Sequence, residues 1–295
     1  MAREVYAQEK PNQHRIAIVI PSGDVSSISD KGTTIDRYSG EARPEGHAEL
    51  ARQVVDGKPD VIVAANNAVA TAARATTDTI PIVWIGGDPV EAGFATSLAH
   101  PGGNVTGVTV FAGTEIWGKR LQILKEAVPA ASKATYLTTR VSLAAEGQQL
   151  RKASRQLGIA VIELALDEVS ATAIERAFTE IVQQQSDAFL VNSNSLLFPY
   201  RQLIVGLAEK NRLPALYPWR EYVEAGGLMA YASDNRELWR RMADDVHEIL
   251  DGAKPGDIPI YQPTKFELVI NLKTAEALGL KIPPSLLARA DEVIE

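Results

Sequence analysis

The sequence predicts an α/β chain of two Rossmann-like lobes with parallel sheets and a ligand cleft between them, and three observations predict it. Strand and helix signals alternate almost throughout the 295 residues, as helices layered on mostly parallel sheets require. The strand segments are short continuous apolar runs, the kind that is covered on both faces. The alternation passes through two successive halves of similar plan, each with a polar, ligand-type loop after a strand.

In the first half, Arg15 to Ile20 reads as a strand closed by Pro21-Ser22-Gly23, and Thr33 to Tyr38 as a short edge strand. Pro44 to Asp56 follows as a helix with Leu50, Val54 and Val55 inward. Val61 to Ala65 is a buried strand, and Asn66-Asn67 would cap a helix over Ala68 to Thr76. Ile82 to Ile85 has the length and branching of a fully covered strand, and Gly86-Gly87 lets backbone approach whatever sits beyond its carboxyl end. Asp88-Pro89 then predicts a short helix through Glu91, Phe94 and Leu98, stopped by His100-Pro101-Gly102-Gly103-Asn104.

The second half begins with an amphipathic helix, Ile116 to Ala127. Strands at Lys133 to Thr138, Ala160 to Leu166, Asp187 to Val191 and Leu216-Tyr217 alternate with helices at Leu143 to Leu157, Ala171 to Gln185 and on to Asn211. A further helix spans Glu237 to Leu250, and the tail from Phe266 returns to one lobe. The lobes expected are 12–112 with about 232–262, and 113–231 with about 263–295.

Composition excludes several function classes. A net charge of −7 without a concentrated basic surface argues against a nucleic-acid partner. The absence of cysteine removes disulfides, thiolate metal sites and thiol nucleophiles together. Four histidines, none in metal-ligand spacing, argue against a zinc site or a Ser/His/Asp triad, and no cofactor is expected. No segment has the apolar length that spans a bilayer. Met1 to Gln13 lacks the apolar core of a signal peptide; Val5-Tyr6-Ala7 has the small-x-small look of a cleavage site, with a frayed terminal arm as the plainer alternative.

Four places carry polar residues just past an expected strand: Asn66-Asn67-Ala68, Gly87-Asp88, Asn192 to Ser195, and Tyr217 to Glu221. Amides, hydroxyls and backbone N–H groups take a carboxylate or phosphate, and a carboxylate takes an ammonium, so together they suit a zwitterion or another small polar ligand. Each has a plainer alternative. Asn66 is a helix cap or a ligand contact, Asp88 a first-turn acid or a ligand contact, and Asn192 and Asn194 turn formers or ligand contacts. Trp219 is an aromatic wall for a ligand or a packing residue, whereas Trp84, Trp117 and Trp239 read as packing residues. Arg220 with Glu221 is a ligand contact or an ordinary surface pair. Asp88 with Glu221 would be the acid and base of an enzyme, although nothing in the sequence sets their separation. The segment Tyr231 to Asn235 reads as a turn and helix cap.

The segments GDPVEAGFATSLAHPGGNVTGV, LVNSNSLLFPYRQLI, NRLPALYPWREYVEAGGLMAYASD and QPTKFELVINLKTAEALGLKIPPSLLARADEVIE closely resemble the ABC transporter substrate-binding protein family that includes tryptophan and other aromatic amino-acid binding members. The resemblance runs from about Thr34 to Glu295 and is most specific in the last string. It implies a type I periplasmic binding fold that traps a small organic ligand by hinge closure and delivers it to a membrane permease outside the cytoplasm, as a monomer or weak dimer and without chemistry on the ligand. Carried over by position, it implies ligand contacts at Asn66, Asn67, Ala68, Gly87, Asp88, Asn192, Asn194, Ser195, Tyr217, Trp219, Glu221 and Tyr231. Two departures stand out. Asn66-Asn67-Ala68 replaces the family's small hydroxyl residue, Pro and Ala, and Pro21 to Thr33 is too short for the family's first helix. The second departure keeps open a degenerate, ligand-sensing protein serving a signalling partner.

Overall fold

The computed structural model describes residues 14–20, 33–39, 44–110 and 115–295. The terminal segment Met1 to Gln13 and the shortened first helix both fall outside the described residues. The chain divides into two compact units, the first reaching Val108 and including Met242–Ile260, the second Thr109–Arg241 and Tyr261–Glu295.

The first unit holds β1 (His14–Ile20), β2 (Thr33–Ser39), α1 (Pro44–Asp56), β3 (Val61–Ala64), α2 (Asn67–Thr76), β4 (Ile82–Gly86) and β5 (Val105–Thr109). The strands form a five-stranded sheet in the order β2-β1-β3-β4-β5. Pairing of β1 with β2 and β3, and of β3 with β4, is parallel, with Ile16 opposite both Ile35 and Val61. Ile62, Ile82, Trp84 and Val105 are wholly buried with Val54 and Val69 against them, and Trp84 meets Phe94 edge-on at 5.4 Å between centroids. Residues 242–260 close this unit: Gly102 N donates to Gly256 O at 3.1 Å, Thr106 Oγ1 to Ile258 O at 2.8 Å and Ile260 N to Leu98 O at 2.7 Å.

The second unit holds α3 (Glu115–Ala127), β6 (Lys133–Thr139), α4 (Arg140–Leu157), β7 (Ala160–Leu166), α5 (Ala171–Gln183), β8 (Ala188–Val191), α6 (Arg201–Lys210), β9 (Ala215–Tyr217), α7 (Arg220–Glu224), β10 (Met229–Ala232), the start of α8 (Asn235–Leu250, which belongs to the first unit from Met242), β11 (Glu267–Asn271), α9 (Leu272–Ala277), α10 (Pro284–Leu287) and β12 (Glu292–Ile294). Its seven-stranded sheet runs β12-β11-β10-β9-β8-β6-β7. Only β10 with β11 is antiparallel. Trp117, Leu121 and Leu124 of α3 pack on Tyr136, Leu190, Leu216 and Met229. No described helix is long and apolar enough to cross a membrane.

Several local expectations are corrected. The helix expected from Pro89 to Leu98 is a single turn: Gly93 adopts φ +73°, and the bonds Phe94 N to Pro89 O (2.8 Å) and Gly93 N to Val90 O (3.0 Å) close it as a left-handed cap. Val105–Thr109, which begins inside the glycine-rich GGNVTG stretch, is a buried strand. Tyr231 belongs to β10 instead of a turn, because Met229, Ala230 and Ala232 around it are buried and Met229 and Ala230 pair with β9. The YPWRE segment runs from the end of β9 at Tyr217 into the start of α7 at Arg220, and α4 starts three residues early because Thr139 Oγ1 accepts from Ser142 N. Trp239 is 39% exposed and does not pack in the core.

Gly107 has φ +132° beside Trp84 in the sheet, and a Cβ there would collide with the Trp84 main chain. Gly107→Ala is expected to destabilise by about 2–4 kcal/mol in urea denaturation, from backbone strain together with overpacking; an unchanged midpoint would contradict this account of β4 and β5. His47 of α1, 8% exposed, lines a small apolar cavity with Leu50, Val54, Ile62 and Val69, and burial pushes its pKa down. The unfolded chain then binds a proton the folded chain resists, so stability is full above the ordinary histidine value of 6.5 and falls as pH drops toward the depressed folded value. His47→Leu should flatten the difference between urea midpoints at about pH 5 and about pH 7.5; an unaltered difference would show that His47 does not set it.

Candidate functional site

In each sheet the winding reverses once. In the first unit the chain leaves β1 for β2 on one side and returns to β3 on the other. In the second it leaves β6 for β7 and returns to β8. Such switch points open a crevice beyond the strands' carboxyl ends, the usual ligand position in open parallel sheets. The expected site residues stand past those ends: Asn66, Asn67 and Ala68 after β3, Gly87 and Asp88 after β4, Asn192, Asn194 and Ser195 after β8, and Trp219 and Glu221 after β9, while Tyr217 and Tyr231 lie in the last residues of β9 and β10.

In the first unit these residues chiefly cap a helix and fix the loop after β4. Asn66 caps α2, its Oδ1 accepting from Val69 N at 2.8 Å. Asn67 Oδ1 accepts from Trp84 Nε1 at 3.0 Å and from Gly87 N at 3.1 Å, so one amide oxygen satisfies a buried indole and fixes the loop after β4. The same close approach explains Gly86, where a Cβ would strike that oxygen. Asp88 Oδ1 accepts from Val90 N at 2.8 Å and Glu91 N at 3.1 Å, capping the single turn. Its other carboxylate oxygen has no protein partner among the described residues, and Ala68 is exposed.

The second unit has a denser polar network. Asn192, 2% exposed, donates from Nδ2 to Tyr136 Oη and to Glu146 Oε2 (2.7 Å), and its Oδ1 accepts from Asn194 N at 2.7 Å. Tyr136 Oη also donates to Glu146 Oε2 at 2.9 Å. Burial drives the Glu146 carboxyl pKa up, against the pull of these donors and of Arg120. Asn194 donates from Nδ2 to Thr139 Oγ1 (3.2 Å) and Ser142 Oγ (3.1 Å) and accepts from Leu196 N at 2.9 Å. Both asparagines are therefore turn formers that also bolt β8 to β6 and α4. Ser195 is half-buried, its carbonyl accepting from Phe198 N at 3.3 Å.

At β9 the Tyr217 ring is stacked on Tyr222 at 5.1 Å, and Trp219, in the bend between β9 and α7, is 8% exposed. Arg220 pairs with Glu224 (3.0 Å) and Glu292 (2.6 Å), not with Glu221. Glu221 Oε1 accepts from Asn235 Nδ2 at 3.0 Å, while its Oε2 and the Tyr222 hydroxyl are buried without a hydrogen-bond partner. Tyr231 is half-buried, tilted against Phe266 at 5.7 Å. Its carbonyl accepts from Arg120 Nε at 3.1 Å. Asp88 and Glu221 belong to different units. The residues not foreseen here are Arg120, Tyr136, Thr139, Ser142, Glu146 and Asn235. A signal existed for one of them, since Arg120 falls on the apolar stripe of α3 between Trp117 and Leu124.

Comparison with known proteins settles what this architecture is. The family model described as ABC transporter substrate binding protein matches residues 23–294. This chain belongs to that family. A curated relative, a tyrosine-binding protein of Clostridioides difficile (strain R20291), is 26% identical over 268 residues, 88% of this chain and 76% of the relative. Among solved structures, a conserved domain protein from Vibrio cholerae O1 biovar El Tor superposes with a TM-score of 0.85 at 24% identity, covering 95% of this chain and 99% of that one. An ABC domain in complex with L-Trp from Streptococcus pneumonia gives 0.84 at 23% identity, covering 96% and 100%. These structures share the type I periplasmic binding fold, expected here from resemblance and now shown. Members of the family are extracytoplasmic binding proteins that take small ligands and work with an ABC permease.

Asn67→Ala leaves the Trp84 indole N–H and the Gly87 N–H without their acceptor. It is expected to cost about 1–3 kcal/mol in urea denaturation, the penalty for stranded buried donors; a loss no larger than that of an exposed substitution would refute the role assigned to this amide.

Proposed function

We propose that this chain is the extracytoplasmic binding component of an ABC importer and that it captures an α-amino acid, with an aromatic side chain as the first choice. The observation that carries the reading is the set of polar groups at the carboxyl ends of both sheets, within a chain that matches the substrate-binding family from residue 23 to 294. In the second unit, Glu221 Oε2 is a buried acceptor without a donor, a costly state that an ammonium group would relieve. In the first, the second oxygen of Asp88 offers a similar acceptor at the loop after β4. The tyrosine-binding relative and the L-Trp complex support the aromatic choice. Asn66, Asn67, Ala68, Gly87, Asn192, Asn194 and Ser195 shape the rim, and Tyr217, Trp219 and Tyr231 supply aromatic surface or hold it in place. In this reading the chain captures its ligand without chemistry on it, as the binding proteins of its family do.

A thermal-shift screen of the twenty amino acids, sugars and purines should show a saturable rise in melting temperature for L-tyrosine or L-tryptophan, because a ligand that binds only the native state stabilises it. Glu221→Gln and Asp88→Ala should each weaken the best ligand by about tenfold or more. A response confined to sugars or purines, or turnover of any ligand, would overturn this function.

A further inference from the structure

The second unit contains a cation whose hydrogen bonding is incomplete. Arg120, on α3, is 4% exposed, and its guanidinium offers five N–H donors in a planar fork. Nε is spent on the Tyr231 carbonyl at 3.1 Å, while Nη1 is buried with no hydrogen-bond partner. Among the described residues Arg120 forms no ion pair. The face of the group lies over the Trp117 ring at 4.9 Å, and the Glu146 carboxylate acts on it only through space, its Oε2 already taken by Tyr136 and Asn192. Burial pulls the Arg120 pKa down to about 10, so the side chain remains charged at neutral pH. A buried cation with one neutral acceptor is costly unless a further anion completes it.

The position of this group matters as much as its state. Tyr231 is the next-to-last residue of β10, Asn192 directly follows β8, and the Tyr136 hydroxyl reaches Asn192 from β6. Arg120 therefore sits under the carboxyl ends of the parallel strands, on the α3 and α4 face and beside the β6/β8 switch point. Its slight exposure keeps water from competing for the unfilled donors, the setting in which a charge-assisted hydrogen bond is strongest.

We propose that Arg120 receives the carboxylate of the bound ligand, making it the residue that selects free amino acids over their neutral derivatives. Trp117 and the Tyr231 carbonyl hold the guanidinium in place, and the unfilled Nη1 edge presents donors to the carboxylate oxygens. The inference rests on the amino-acid reading above and assigns a role to a residue that lies outside the sequence-derived set.

The test is calorimetric titration of the intact protein with L-tyrosine and L-tryptophan and with their amides, which keep the ring and the ammonium group but lose the anion. The wild type should prefer acid over amide by about tenfold to a hundredfold. Arg120→Gln should abolish most of that preference by weakening the acids while leaving the amides nearly unchanged. Arg120→Lys, which keeps the charge without the fork, should retain part of it and serves if the glutamine variant does not fold; melting curves establish folding for each. If the acids bind the wild type but a folded Arg120 variant weakens acid and amide alike, or leaves the preference intact, Arg120 is structural and this inference falls while the amino-acid reading stands. If neither acid binds the wild type, the amino-acid reading falls and takes this inference with it.

Discussion

Parallel pairing on both sides of one central strand is the constraint on which the rest of this structure depends. Because β6 pairs in parallel with β7 and with β8, the chain crosses back over the sheet through α4 and α5, and the loops that follow these three strands arrive at the same edge. In the first unit β1 likewise pairs in parallel with both β2 and β3. Polar residues far apart in the chain, such as Thr139, Asn192, Glu221 and Asn235, are thereby brought to one edge of one sheet. Ligand capture needs such convergence of groups from several elements, and a parallel sheet supplies it without any loop being long.

The residues at that edge are spent largely on building it. Asn67 joins Trp84 to the loop after β4, and Asn192 locks Tyr136 and Glu146 beneath the turn after β8. Rigid support of this kind makes a site selective, since a ligand group meets donors and acceptors already held in place. It also separates two kinds of residue. Asn66, Asn67, Asn192 and Asn194 spend their side chains on bonds within the fold. Those with a buried polar atom still unmatched, Arg120, Glu221 and Tyr222, are the ones whose energetics a ligand could change.

Much of the fold was legible in the chain because its buried strands are unmistakable apolar runs. Val61 to Ala64, Ile82 to Ile85 and Ala188 to Val191 stand out by length and branching, and helices such as α2 and α5 declare themselves through capping residues and apolar stripes. Two of the strands that escaped notice have a poor local signal. β5 carries Gly107 in its middle, which argues against a strand until Trp84 is seen pressed against it, and Met229 to Ala232 is only four residues long with two alanines. The single turn after Asp88 looked like a longer helix because its apolar spacing is helical. Gly93 ended it through a left-handed cap that spacing alone does not reveal.

The sequence by itself determined the class of structure, the positions of most strand ends and the absence of thiol chemistry, since hydrophobic period, capping residues and composition are local properties. It also determined family membership, written most clearly in the string from Gln262 to Glu295. Only the tertiary structure decided which polar residues are already satisfied and which are not. Whether Asn192 is a pin, whether Arg220 pairs with Glu221, and whether an arginine on the apolar face of α3 has a full set of partners all depend on atoms contributed by distant elements. Hydrogen-bond satisfaction is a property of the assembled neighbourhood, and no reading of spacing along the chain contains it.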